Sequence, residues 1–101
     1  MKLTILVHKG PDEAVVSSVI GMAKAARARG LDVNIFAMAA GVMNLLREDF
    51  TNLIGDGVNI TVCEHNRSQY KAAENVEGVK YGSQYDLAIY AQDCDRFISF
   101  I

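Results

Sequence analysis

The chain has 101 residues, half of them hydrophobic and 22% charged, with a single proline; that is the size and balance of one compact domain, residues 1–101, and it excludes a disordered tail or linker as the main content. The formal charge is only −2, with Lys and Arg scattered along the chain, so no basic stripe recommends nucleic acid or an anionic membrane as a partner.

Residues 2–8 form a continuous apolar and β-branched run of strand length, the pattern of a strand buried on both faces. The run is closed at once by His8, Lys9, Gly10, Pro11, Asp12 and Glu13, which makes it too short for a signal peptide or a membrane span and favours a cytosolic protein. Asp12 and Glu13 open a segment with Val15, Val16, Val19, Ile20, Ala23 and Ala26 at helical spacing. Lys24, Arg27 and Arg29 suit the carbonyl end of that helix, and Gly30 is its stop. Residues 31–38 repeat the character of the first strand.

A second helix is expected over residues 41–54, where Val42, Met43, Leu46, Phe50, Leu53 and Ile54 make an apolar face. Residues 58–63 read as a third strand, and residues 66–75 as a short, more polar helix. Residues 79–81 make a brief fourth strand, and Ser83 with Asp86 three positions on resembles a helix-opening cap for a helix ending near Asp93. Residues 96–101 form the last strand. Strands alternating with helices predict right-handed crossovers and a three-layer α/β/α fold around a mostly parallel sheet of about five strands.

In such sheets the chemistry collects at the carboxyl ends of the strands. Neither Gly-x-Gly-x-x-Gly nor a phosphate loop ending in Gly-Lys-Ser/Thr follows the first strand, and Gly-x-Ser-x-Gly is absent, so nucleotide binding and a Ser-His-Asp hydrolase lack sequence support. No cofactor is expected. Cys63 is the most informative residue, because it closes an apolar strand at or just before a helix start, where backbone N–H groups stabilise a thiolate. His65 and Arg67 add positive charge nearby, the backbone at Asn66 offers N–H donors, and the Glu64 carboxylate opposes the thiolate. The plainer reading of Cys63 is a half-buried structural cysteine.

Cys94 lies near the end of the last helix, too far from Cys63 for a disulfide, and reads as a packing residue. His8, Cys63 and His65 would converge as soft metal ligands only if the first and third strands lay close, and with no Cys-x-x-Cys spacing no metal site is expected. His8 is more simply a polar strand end, and Lys9 a solvated cation with some scope to bind an anionic sulfur species.

Four segments together resemble the DsrE/DsrF family of small sulfur-relay proteins, which includes the TusD-like subunits. They are residues 2–8 followed by a helix; Phe36-Ala37-Met38-Ala39-Ala40-Gly41-Val42 entering the second helix; residues 58–63 ending in cysteine; and Val79-Lys80-Tyr81-Gly82-Ser83 with the ending Asp95-Arg96-Phe97-Ile98-Ser99-Phe100. The resemblance implies a compact α/β fold, a homo-oligomer or a complex with related subunits, and a persulfide carried on the cysteine after the third strand, here Cys63. Sulfur-donor and sulfur-acceptor proteins are then the expected partners. The alternative is a non-catalytic oligomeric module of the same fold holding a small ligand or partner protein in the same cleft.

Overall fold

The computed structural model describes all of residues 1–101. Five strands, β1 (Lys2–Val7), β2 (Asp32–Ala37), β3 (Asn59–Cys63), β4 (Val79–Gly82) and β5 (Arg96–Phe100), form one sheet in the order β4-β3-β2-β1-β5. Every neighbouring pair is parallel, with Ile5 opposite Ile35 and Ile98, Val62 opposite Ala37, and Cys63 opposite Gly82. The α/β expectation from the alternating pattern is met. From β1 to β4 the chain steps the same way across the sheet, so right-handed crossovers put the first three connections on one face, and the return from β4 to β5 runs over the other.

The first face carries the core. Strand side chains alternate between faces: Leu3, Ile5, Val7, Val33, Ile35, Ala37, Ile60 and Val62 join Val16, Val19, Ile20, Ala23 and Ala26 of α1 (Val15–Ala28) in one buried cluster. Helix α1 starts later than its acids suggest. Asp12 and Glu13 sit in a turn closed by the Glu13 N–H on the Gly10 carbonyl at 3.1 Å, so they precede the first turn of the helix. Its end is as expected, with Gly30 at φ +83°, the left-handed position a glycine supplies without strain.

The expected second helix is not continuous. A 3-10 segment (Ala39–Leu46) leads through Arg47, in extended conformation at φ −91° and ψ 122°, to α2 (Glu48–Thr51) and a further 3-10 turn (Asn52–Ile54). Tertiary contacts outweigh the helical period here. The Asn44 side chain is fully buried and donates to the Lys9 carbonyl at 2.9 Å. Arg47 turns its guanidinium back to Asp49 and the Pro11 carbonyl. Gly41 lies so close to β1 that a Cβ would collide with the Val7 carbonyl oxygen.

Helix α3 (Glu64–Tyr70) begins directly after Cys63 and stops at Lys71, which turns left-handed at φ 55°. That turn brings Ala72 into the core and ends the helix short of Asn75. The second face is covered by α4 (Gln84–Asp93) alone, and no residue of α4 is buried. It is tied down by polar contacts: the Thr4 hydroxyl donates to the Tyr90 carbonyl at 3.1 Å, and the Thr61 and Tyr90 hydroxyls share a hydrogen bond of 2.9 Å. The first and last strands are joined at their starts, where the Lys2 N–H meets the Asp95 carboxylate at 2.7 Å and the Asp95 N–H meets the Lys2 carbonyl at 2.9 Å. No helix is long and apolar enough to cross a membrane.

Candidate functional site

Cys63 ends β3 and caps α3, with φ −71° and ψ 115°, so the chain passes from strand to helix without a loop. The connection leaving β3 goes to the first face, and the one leaving β4 goes to the second. Neighbouring strands whose connections part in this way leave a crevice beyond their carboxyl ends, which is where ligands bind in open α/β sheets. A cleft of about 610 Å³ lies there. Met38, Cys63, His65 and Asn66 line one side of it, and Ser83, Gln84 and Tyr85 the other.

The walls are held by hydrogen bonds. The Asn66 side-chain oxygen accepts from the Ala39 N–H at 2.9 Å, and its amide donates to Gln69 at 2.8 Å, which fixes the loop after β2 against α3. Across the cleft, Ser83 forms the expected capping box. Its hydroxyl accepts from the Tyr85 N–H at 3.2 Å, and its own N–H donates to the Asp86 carboxylate at 2.8 Å. Lys80, 2.9 Å from Asp86, and the Ser83 N–H together hold the Asp86 carboxyl below its ordinary value. Between the walls, the Gln84 amide donates to the Met38 sulfur at 3.5 Å.

Cys63, His65 and Asn66 are brought together as the sequence suggests, but Cys63 is only 4% exposed while His65 stands in solvent. Arg67 does not join them. Its guanidinium makes a forked pair with Glu64 at 2.8 and 2.9 Å and reaches Glu74 at 3.2 Å and the Ala72 carbonyl at 3.2 Å. It lines a separate hollow with Glu74, Asn75 and Tyr81, because the i, i+3 spacing on α3 favours Glu64 as its partner. That pairing holds the Glu64 carboxyl below its ordinary value.

His8 and Lys9 also lie outside the cleft. They follow β1, and β2 separates β1 from β3, an offset of about 9.6 Å at the usual strand spacing. His8 therefore does not converge with Cys63 and His65. The His8 N–H donates to the Phe100 carbonyl at 2.9 Å, its buried Nε2 has no hydrogen-bond partner, and the Lys9 carbonyl serves Asn44. Cys63 and Cys94 are both free thiols, and Cys94 points its sulfur at the Ala91 carbonyl, 3.4 Å away.

The model of the DsrE/DsrF-like family matches residues 1–100. The chain belongs to the DsrE/DsrF-like family. Among solved structures it is similar to the ychN protein from E. coli, with 20% identity over 99% of each chain and a TM-score of 0.87. It is also similar to BT1422, a conserved protein of unknown function from Bacteroides thetaiotaomicron, with 19% identity over 98% of this chain and 94% of that one and a TM-score of 0.81. These likenesses concern the fold. No curated protein matches the sequence.

What this DsrE/DsrF-like chain offers chemically is one thiol at the floor of an open cleft, beside the first turn of a helix whose leading N–H groups have no intrahelical carbonyl partners. The side chains nearest in the cleft are apolar or neutral polar groups and the imidazole of His65, apart from Glu64, whose carboxylate Arg67 engages. Met38 is among the residues that the sequence places at the carboxyl ends of the strands, but Gln84 and Tyr85 were not singled out and read only as the opening of a helix. Only the strand order, which puts β2 and β4 on either side of β3, gives them a common place.

Proposed function

We propose that this DsrE/DsrF-like protein carries sulfane sulfur on Cys63. The Cys63 thiolate attacks the outer sulfur of a donor persulfide; the new bond forms as the donor S–S bond breaks, and the donor leaves as a thiolate. An acceptor thiolate then attacks the outer sulfur of the Cys63 persulfide and returns Cys63 as the leaving thiolate. Sulfur moves without net oxidation, so no cofactor enters the cycle, and the step needs a reachable thiolate and little else. The observation that carries this reading is the placement of Cys63 at the strand-to-helix junction that floors the cleft between β3 and β4. Donor and acceptor proteins are its partners, the cytoplasm is its compartment, and the working form is a homo-oligomer or a complex with related subunits.

The test is mass spectrometry of the intact protein after incubation with a sulfane-sulfur donor. Wild type should gain the mass of added sulfur, Cys63→Ser should not, and Cys94→Ser should behave as wild type. Sulfur found only on Cys94, or on neither residue, removes the relay.

A binding module of the same fold is the second reading, and it is favoured by the 4% exposure of Cys63 in a roomy cleft. Alkylation of native protein separates the two. Selective labelling of Cys63 near neutral pH supports the relay, whereas an inert Cys63 beside a folded cleft supports the module.

A further inference from the structure

A relay thiol must be reached by two partners in turn, yet Cys63 is almost fully covered although it floors an open cleft. The strand register shows which residues stand beside it. Ala37 is opposite Val62, so the next residue of each strand, Met38 and Cys63, stand level on neighbouring strands. On the other side Cys63 is opposite Gly82, and Gln84 lies two residues further along. The hydrogen bond of 3.5 Å from the Gln84 amide to the Met38 sulfur therefore runs from the strand on one flank of β3 to the chain leaving the strand on its other flank. It passes over the carboxyl end of β3, where Cys63 sits.

We propose that Met38 and Gln84 form a gate over Cys63, and that this contact must part before a donor or acceptor reaches the sulfur; the purpose of the gate rests on the relay reading, but its existence does not. Both side chains stand on fixed backbone. The Met38 N–H is held by the Val7 carbonyl at 3.1 Å and the next residue, Ala39, by Asn66, while Gln84 follows directly on the Ser83 capping box. Movement falls to the side chains, both long and unbranched, with Met38 half-buried and Gln84 exposed. A thioether is a weak acceptor, so opening is easy and rapid. The gate carries no charge. It sorts visitors by bulk, and slender thiols and persulfides pass before bulky ones.

The measurement is the rate of Cys63 modification in the native protein, with Cys94 resolved from it by peptide mapping, using iodoacetamide as a slender probe and an aryl maleimide as a bulky one. Gln84→Ala and Met38→Ala should each raise the rate by about two- to threefold, the population gain from removing one hydrogen bond at the weak end of the usual net range. The bulky probe should gain more. Met38→Leu, which keeps the volume and loses the sulfur acceptor, should fall between wild type and Met38→Ala. Rates unchanged for both probes in Gln84→Ala and Met38→Ala, with native circular dichroism, would overturn the gate; Gln84→Ser repeats the test if Met38→Ala does not fold. Sulfur loading followed in parallel keeps the two ideas apart: faster alkylation without loading supports the gate and removes the relay, and loading with ungated alkylation does the reverse.

Discussion

Arg67 shows how one residue's electrostatics can mislead a reading made along the chain. Four positions from Cys63, it looks like a cation for the thiolate, but its fork fits a carboxylate better than a sulfur, and Glu64 sits one helical turn away. The Glu64 carboxyl is held below its ordinary value of 4.5 by that guanidinium. The stabilisation it gives is fully present above that value and is lost as pH falls through the lower value of the folded state. Urea midpoints of wild type and Glu64→Gln should therefore differ by a constant amount from pH 7 down to about pH 5 and converge in stronger acid. The same substitution removes the carboxylate next to Cys63 and should speed its alkylation by about twofold, the scale of one screened surface charge. The place of Cys63 at the end of β3 was legible because an apolar run of strand length ends on it. His8 and Lys9 were misplaced because nothing in their own sequence says that β2 lies between them and Cys63.

The helices that could be read correctly are those whose ends are written in local chemistry. Ser83 and Asp86 form the capping box that opens α4, and Gly30 turns left-handed after α1. Ser83→Ala should cost about 1 kcal/mol, and in a domain of this size the melting temperature should fall by about 4–8 °C. Calorimetry measures both, and the far-ultraviolet helical signal at low temperature should stay near that of wild type. Where the sequence was misread, the deciding partner was distant. The apolar spacing over residues 41–54 suits a helix, yet the buried Asn44 must reach Lys9 and Gly41 must pass the Val7 carbonyl, and these contacts hold the segment in tighter, broken turns. Helix α3 ends early for the same kind of reason, since Ala72 is drawn into the core built by other elements.

At the scale of the whole molecule, the two faces of the sheet are unequal. Three crossovers bury the first, while a single helix of ten residues, none of them buried, covers the second. Tyr85, Ile89 and Phe97 are left substantially exposed in that part of the chain, and a domain this small buries only part of its apolar surface alone. We expect this region to be covered by further copies of the chain. Sedimentation at tens of micromolar, about the range of ordinary weak interfaces, should show an oligomer, and Ile89→Asp with Phe97→Asp should reduce it to a folded monomer. A wild-type monomer at that concentration would contradict the expectation. The alternation of strands and helices was legible from hydrophobic period alone; the strand order, and with it the inequality of the faces, was not, because it depends on where the return from β4 lands. That return sets the timing of folding. The β1–β5 seam joins Lys2 to Asp95 across 93 residues of chain, so β1 cannot complete its pairing until nearly everything between has found its place. Any state lacking β5 presents the apolar β1 as an open edge, a template for another chain. Recovery from denaturant should accordingly fall as protein concentration rises, with the lost material in aggregates.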